Sequence, residues 1–155
     1  MSNVKTLQKD KVPVGQKAAF GAGHFILNIL PGTLGVFIQF FLLTAWGVDP
    51  LWAGLLGGLP RIFDSINDPI MGFISDNTTS KWGRRRPYIF IGAMVSGILF
   101  FLMWQIDDNA SQSYIIWHVM VLQILFLIGN TMFATPLVGL GYEMTSDYNE
   151  RTRLM

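Results

Sequence analysis

The sequence has no cysteine and little charge, and each absence excludes a class of protein. Without cysteine, no disulfide holds the chain together. Charged residues make up 14% of the chain, whereas a soluble domain usually carries about 25%. Hydrophobic residues reach 51%, and the net charge is only +1. This composition predicts a membrane protein with no nucleic-acid partner.

Residue patterns that carry catalysis are also missing. The sequence holds no nucleophile-and-base set, no glycine-rich phosphate loop and no cluster of metal ligands. His24 stands alone in its segment and makes no zinc site. We therefore predict that the chain is not an enzyme and needs no cofactor.

What the sequence does contain is long apolar runs. A bilayer core needs roughly 20 apolar residues in helical form, and four segments reach or approach that length. This predicts an all-α membrane protein with a four-helix transmembrane part over residues 17–143. Asp49 followed by Pro50 is typical of a helix start. The predicted transmembrane helices cover residues 17–46, 50–76, 87–105 and 113–142.

Basic residues indicate how these helices are oriented. Lys and Arg collect near cytoplasmic loops, and the loops at 47–49 and 106–112 contain neither. The flanking segments 1–16 and 144–155 should therefore both be cytoplasmic, in a multi-pass protein of the cell inner membrane. All nine Trp and Tyr residues fall near a proposed interface, as amphipathic rings should. The basic residues that fit this pattern are Lys5, Lys9, Lys11, Lys17, Lys81, Arg84, Arg85, Arg86, Arg151 and Arg153.

Two pairs of small residues at four-residue spacing bear on how the helices pack. These are Gly54 with Gly58 and Gly92 with Ser96. Such pairs allow two helix backbones to approach closely. The alternative is that they are ordinary glycines of membrane helices, which are frequent there.

The one basic residue outside the loops belongs to a charged stripe in the second segment. Arg61, Asp64 and Asp68 are spaced so that a helix puts them on one face. Each costs roughly 2.5 to 3.5 kcal/mol at the centre of a bilayer. The stripe must therefore face protein or a wet cavity. Two carboxylates one turn apart either share a proton or hold a cation, unless the charges form a network that only fixes helix packing.

Polar residues on the first and fourth segments are candidates for the same cavity. His24 and Asn28 lie four residues apart in an apolar run, and Asn130, Thr131 and Thr135 precede Pro136. They could line a substrate site, with Arg61 as a further contact. The alternative for each is a hydrogen bond between helices that serves packing alone.

The charged stripe opens a longer stretch with a family resemblance. The run RIFDSINDPIMGFISDNTTSKWGRRRPYI, residues 61–89, resembles the glycoside–pentoside–hexuronide cation symporters, a family of the major facilitator superfamily that includes melibiose permease. The run GYEMTSDYNERTRL, residues 141–154, resembles the family's segment after its fourth helix. The family's fold has twelve helices in two six-helix halves built from inverted repeats. The resemblance implies that this chain is an N-terminal fragment, the first part of the N-terminal six-helix domain, and that further C-terminal helices are missing.

The resemblance also implies roles for particular residues. Asp64 and Asp68 match the family's cation-binding carboxylates, for a coupling ion that is H⁺ or Na⁺, and Arg61 matches the arginine before them. If the ion is sodium, the same two carboxylates are the metal ligands. In the melibiose permease branch, helices 1 and 4 each give an aspartate to the sugar site, and those positions hold Asn28 and Ala134 here. The residues that match the superfamily's cytoplasmic gate are Asp76, Arg84, Arg85 and Arg86.

The function implied is a cation-coupled symporter for a sugar or glycoside. A carrier of amphiphilic or lysolipid substrates is an alternative within the same superfamily, because the two sugar-site acids are absent. A membrane scaffold that transports nothing, or a truncated product, is the alternative from another class, since four helices cannot form a two-domain transporter.

The predicted orientation can be tested by cysteine labelling, which the cysteine-free sequence allows without background. We expect a cysteine at Asn109 to react with an impermeant thiol reagent added outside intact cells. A cysteine at Ser80 should react only after the membrane is opened, because its loop carries the cytoplasmic basic residues. The reverse pattern would reject the orientation.

Overall fold

The fold is a bundle of four long helices joined by short loops. The structure is a computed structural model and describes residues 12–107 and 109–144, so the flanking segments lie mostly outside the described residues. Within the described part there is no strand, and the predicted all-α class is confirmed. The helices are α1 (Val14–Phe40), extended by a π-helical turn (Phe41–Ala45), α2 (Pro50–Asn77), α3 (Arg86–Met103) and α4 (Gln112–Glu143).

Local sequence determines where the helices begin. The carboxylate of Asp49 accepts a hydrogen bond of 2.8 Å from the backbone nitrogen of Leu51, and Pro50 is the first residue of α2. This confirms the helix start that the sequence predicted. Ser111 caps α4 in the same way, accepting from the nitrogen of Tyr114 at 3.4 Å. Both caps satisfy a donor that the first helical turn leaves free.

The π-helical turn widens the end of α1 that leads toward α2. Its backbone bonds run five or more residues back, from Trp46 to the carbonyl of Phe41 at 2.9 Å and from Val48 to that of Leu42 at 2.8 Å. Gly47 follows with φ of 59°, a conformation that glycine adopts without strain. The turn brings Leu42 and Val48, both buried, onto the bundle core beside the start of α2.

Helix α4 is the centre of the bundle. Twelve of its residues are buried, against three on α1, four on α2 and three on α3. A helix that is apolar on all sides belongs inside a bundle or a bilayer, and α4 is packed against each of the other three helices. Its side chains hold two core clusters together. The larger cluster includes Leu34, Ile38, Leu56, Met103 and Phe126, and the smaller one includes Phe20, Phe133 and Leu137.

The tightest helix contact is between α3 and α4. A Cβ atom added at Gly92 would lie 2.5 Å from the backbone nitrogen of Phe133 and 2.9 Å from the carbonyl oxygen of Gly129. Ser96, one turn further, is fully buried and donates to the carbonyl of Gly92 at 2.6 Å. The close contact predicted for Gly92 with Ser96 is confirmed.

The other pair of small residues behaves differently. A Cβ atom added at Gly54 or at Gly58 would meet nothing within 4 Å in the described part of the chain. The close helix contact predicted for this pair is therefore not made within the described residues. The glycine that α2 does use is Gly57, whose missing side chain leaves room for the amide of Gln39.

The helices are long and apolar enough for a bilayer. Among the described residues, three meet both criteria for a membrane span: Val14–Ala45, Arg86–Met103 and Gln112–Glu143. Helix α2 is 28 residues long and lies beside them against α4, but its charged stripe lowers its hydropathy. Together with the many large apolar side chains that the bundle exposes, this arrangement is that of a multi-pass membrane protein.

The α3–α4 contact leads to a stability prediction. Gly92→Ala should lower the free energy of unfolding by about 1–3 kcal/mol, because the new methyl meets backbone that cannot rotate away. Gly97→Ala on the same helix is the matched control, since nothing lies within 4 Å of its Cβ position. Unfolding in detergent can be followed by tryptophan fluorescence. Equal stability of the two variants would contradict the close packing.

Candidate functional site

The charged stripe lies at the middle of α2. Asp64 is central in this helix of 28 residues, with Arg61 one turn before it and Asp68 one turn after. The helix also has an exposed apolar face, about 160° from the stripe at 3.6 residues per turn. Since charges cannot face lipid at this depth, the stripe must face water or further protein. The exposed apolar face consists of Ile62, Ile66, Ile70 and Phe73.

A cavity of about 670 Å³ opens beside the stripe, between α1, α2 and α4. Arg61 and Asp64 form its charged wall on α2. Gln39 on α1 and both Gln123 and Asn130 on α4 add three side-chain amides, and the remaining lining is apolar or glycine. A mostly apolar pocket with a few convergent polar groups is the usual form of a small-molecule site.

Two amide oxygens in this cavity have no hydrogen-bond partner. They are Oε1 of Gln123, whose side chain is 1% exposed, and Oδ1 of Asn130. Gln39 is different, because its Nε2 donates to the carbonyl of Ala53 at 2.8 Å and ties α1 to α2. A buried acceptor without a donor costs free energy, so these two oxygens lower the stability of the α4 wall in this arrangement.

Asp68 lies beyond this cavity, next to α4. Its Oδ1 accepts a hydrogen bond of 3.4 Å from the hydroxyl of Thr135. One residue before it, Asn67 lines a smaller cavity of about 200 Å³ together with Thr131, and its Nδ2 is buried without a partner. Carboxylate, hydroxyl and amide oxygens are the ligands that hard cations prefer.

The number of acidic groups here is small. Within the ranges 12–107 and 109–144, no three His, Cys, Asp or Glu side chains are grouped as metal ligands. A metal ion at the stripe would therefore be held by Asp64 and Asp68 with neutral oxygens. A proton would need only the two carboxylates.

The structure places His24 and Asn28 away from the main cavity. The His24 ring packs against Phe20, with ring centroids 5.2 Å apart, and its Nδ1 is buried without a partner. Asn28 is exposed and donates through Nδ2 to the carbonyl of His24 at 2.8 Å. Neither side chain lines the cavity with Arg61 and Asp64. Of the predicted substrate contacts, Arg61 alone lies there, while Thr131 lines the smaller cavity.

An ionic cluster joins α2, α3 and α4 at the opposite end of α2 from Asp49. Nη2 of Arg85 lies 2.6 Å from Oδ1 of Asp76 and 3.3 Å from Oε1 of Glu143. Nη2 of Arg84 lies 3.8 Å from the same Glu143 oxygen. The Arg85 side chain is only 15% exposed, and its guanidinium lies over Gly139, where a side chain would overlap it.

The ionic cluster shows that Arg84, Arg85 and Arg86, three consecutive arginines in the sequence, differ in their contacts and in their exposure. Arg85 holds two carboxylates and is mostly buried, whereas the Arg84 side chain is 60% exposed. Arg86, also exposed, is the first residue of α3 and borders an apolar groove between α1, α3 and α4. Arg85 is therefore the residue that connects the helix ends.

Sequence reasoning missed Gln123 and Glu143. Gln123 gave one signal, a single amide in an apolar run of α4. Glu143 lies within the family-like run after Gly141, but nothing marked it as the partner of an arginine some sixty residues earlier. The hydrogen bond from Gln39 to a backbone carbonyl could not be predicted from the sequence either, because every residue carries such a carbonyl.

Comparison with known proteins agrees with this architecture. The family model described as MFS/sugar transport protein matches residues 19–155. An uncharacterised symporter of Synechocystis is 34% identical over 155 residues, which cover 97% of this chain and 28% of that protein. The inner membrane symporter YicJ of Escherichia coli is 27% identical over 96% of this chain and 32% of its own length.

Lipid symporters are similar to a comparable degree. The sodium-dependent lysophosphatidylcholine symporter 1 of Xenopus tropicalis is 28% identical over 92% of this chain and 27% of its own length. The chain thus spans about a third or less of the length of these relatives. It belongs to the MFS/sugar transport family, the glycoside–pentoside–hexuronide cation symporters of the major facilitator superfamily. Its relatives are transporters and not enzymes, so the predicted class is confirmed.

The ionic cluster predicts that substitutions of Arg85 and Arg86 change the free energy of unfolding by different amounts. Arg85→Gln should lower the free energy of unfolding by about 1 kcal/mol, because two half-exposed carboxylates lose their common cation. The loss should shrink at high salt, which screens the remaining repulsion. Arg86→Gln is the control of the same chemistry and should change stability by less. If both variants melt alike at low salt, Arg85 does not connect the helix ends.

Proposed function

We propose that this chain supplies the cation-coupling helices of a secondary active symporter. The observation that carries the proposal is a charged stripe at the centre of a membrane helix, beside a cavity of about 670 Å³. Such charges are expensive in a bilayer and mark ion and substrate pathways. The relatives that are symporters support the same class.

Asp64 and Asp68 bind the coupling cation in this proposal. Without a cation, two carboxylates one turn apart repel each other in a medium of low dielectric constant. A proton or a sodium ion removes that repulsion, so the cation favours an occupied and closed site over an open one. Thr135 already donates to Asp68, and Asn67 and Thr131 line the smaller cavity between α2 and α4. They would complete the coordination of a sodium ion.

The substrate cavity is the space that Arg61 and Asp64 share with α1 and α4. Coupling then follows from linkage: the cation raises the affinity for substrate by the factor that the substrate raises the affinity for the cation. A sugar or glycoside fits the amide-lined wall, and the description of the matching family model supports that class. The surrounding bilayer and the further helices that the longer relatives contain complete the transporter.

A lysolipid is the second candidate substrate. The relative from Xenopus tropicalis is named for lysophosphatidylcholine and is about as similar as the bacterial symporters. The positions that the resemblance assigns to sugar-site acids hold Asn28 and Ala134, neither of which carries a charge. Competition of a lysolipid against a glycoside for uptake would separate the two candidates.

The ionic cluster of Asp76, Arg84 and Arg85 acts as the inward gate in this proposal, with Arg86 beside it. It ties the ends of three helices together, so breaking it frees α2 and α4 to move apart. With basic residues at this end, the gate lies at the cytoplasmic face of the cell inner membrane, and both termini are cytoplasmic. Replacing these residues should change transport rate more than substrate affinity.

The central experiment replaces the two carboxylates in the complete transporter. Asp64→Asn and Asp68→Asn should each abolish uphill accumulation of substrate. A neutral amide in place of the carboxylate no longer binds the coupling cation, so the cation gradient no longer drives transport. Counterflow needs no net gradient and is expected to survive in one of them. Uptake driven by an imposed proton or sodium gradient in membrane vesicles is the measurement.

Asp49→Asn is the matched control for these variants. Its carboxylate caps α2 at the outer end and lies outside the stripe, so accumulation should stay near that of the unmodified transporter. Normal cation-driven accumulation by the Asp64→Asn, Asp68→Asn double variant would contradict the proposal. The stripe would then be a network that fixes helix packing.

A further inference from the structure

We infer that Gln39 is a positioning residue for substrate binding. Its side chain occupies the space left by the missing side chain of Gly57, called the notch below, and bonds α1 to α2 there. In doing so it sets the width of the main cavity beside Arg61 and Asp64. The inference rests on the proposed function, because it concerns the cavity in which the substrate is proposed to bind.

The hydrogen bond uses a backbone carbonyl that the notch leaves open. In an α-helix the carbonyl of Ala53 points along the axis toward the nitrogen of Gly57, and it keeps a second lone pair after accepting that helical bond. Because Gly57 has no side chain, Nε2 of Gln39 reaches this carbonyl at 2.8 Å. A Cβ atom added at Gly57 would overlap Nε2 and lie 3.1 Å from Cδ. The end of a glutamine is flexible, so a methyl group there would displace the amide and break the bond.

Neighbouring glycines of α2 do not share this contact. A Cβ atom added at Gly54 or at Gly58 would meet nothing within 4 Å in the part of the chain that the structure describes. Gly54 also lines the main cavity, whereas Gly58 does not. Gly58→Ala is therefore a matched control for Gly57→Ala, since it adds the same methyl group to the same helix outside the notch.

The charged wall of the cavity lies between two attachments of α2. Before Arg61, the bond from Gln39 joins α2 to α1. Beyond Asp64, the hydroxyl of Thr135 donates to Asp68 at 3.4 Å and joins α2 to α4. Arg61 and Asp64 line the cavity on the stretch of α2 between these two attachments. Loss of the first attachment therefore changes how far this wall stands from α1.

Two prolines increase the importance of that attachment. Pro31 in α1 and Pro60 in α2 both line the cavity. Proline has no N–H, so each leaves one carbonyl, that of Leu27 or of Leu56, without its helical donor. Helices bend readily at such positions, and here both helices are interrupted beside the same cavity. The bond from Gln39 therefore restrains a separation that the two helix backbones do not fix by themselves.

This placement predicts different effects on substrate and cation. A substrate between α1 and α2 contacts both walls at once, so its affinity depends on their separation. The coupling cation is proposed to bind Asp64 and Asp68, on the side of α2 that meets α4. Removing the Gln39 bond should therefore weaken substrate binding and leave the cation affinity measured without substrate unchanged. A contact that only stabilised the fold would not divide the two affinities in this way.

The first test measures uptake by the complete transporter in membrane vesicles with an imposed proton or sodium gradient. The probes are radiolabelled methyl β-D-galactoside and radiolabelled lysophosphatidylcholine. For a probe that accumulates, Gln39→Met and Gly57→Ala should each raise its half-saturating concentration about fivefold, as for one lost hydrogen bond. The maximal rate should stay the same. Cation binding without substrate, measured by calorimetry for sodium or with a pH indicator for protons, should also stay the same.

A double variant tests whether the two residues act through one bond. Gln39→Met combined with Gly57→Ala should be no weaker than the weaker single variant, because the same bond can be lost only once. Gly58→Ala should behave like the unmodified transporter. Additive losses in the double variant, or equal losses in Gly57→Ala and Gly58→Ala, would overturn the inference. So would unchanged half-saturation in both single variants.

The second test measures the separation of α1 and α2 directly and needs no transported probe. Spin labels are attached at Leu43, in the π-helical turn after α1, and at Leu55 on α2, both of which are exposed. In the purified complete transporter, Gln39→Met and Gly57→Ala should broaden the distribution of distances between the labels. Gly58→Ala should not. A distribution that both variants leave unchanged would contradict the positioning role.

Failure of this inference is distinguishable from failure of the proposed function. If neither probe accumulates under any gradient, the symporter proposal fails, and the distance measurement still decides whether the Gln39 bond sets the separation of α1 and α2. If the carboxylate variants lose accumulation while Gln39→Met and Gly57→Ala keep the affinity of the unmodified transporter, the symporter proposal stands and this inference fails.

Discussion

The constraint on which the rest of the structure depends is that charge at mid-membrane cannot face lipid. Arg61, Asp64 and Asp68 would cost several kcal/mol together in a bilayer, so α2 must be two-sided. One side carries exposed isoleucines toward the lipid, and the other carries the stripe toward α1 and α4. The cavity exists because that second side cannot be closed with apolar packing.

Helix α4 meets its neighbours in two different ways as a result. Against α3 it makes a dry contact, in which Gly92 and Gly129 let backbones touch and leave no room even for a methyl group. Against α2 it makes a polar contact with spaces of about 670 and 200 Å³. A rigid pair formed by α3 and α4 thus presents one polar wall to a separate charged helix. This arrangement suits a binding site in which α2 can shift when a ligand binds while α3 and α4 stay together.

Sequence patterns were sufficient for the parts that depend on local chemistry or on a strong physical penalty. Asp49 with Pro50 predicted a helix start, and Gly92 with Ser96 predicted a close contact. Patterns failed where a partner is distant in sequence. Nothing in α4 showed that it would be central, because a helix apolar all round is equally suited to lipid. Glu143 was missed because its partner, Arg85, is brought near only by the fold.

The π-helical turn at Phe41–Ala45 has a consequence for how insertions and deletions would act on this family of chains. Such a turn holds one residue more than an α-helical turn spanning the same bonds. Deleting one residue there would restore a regular α-helix and rotate everything after it by about 100°. Gly47, Asp49 and the start of α2 would then leave the core from a different side. The side from which the chain leaves α1 toward α2 therefore depends on a single surplus residue at the end of α1.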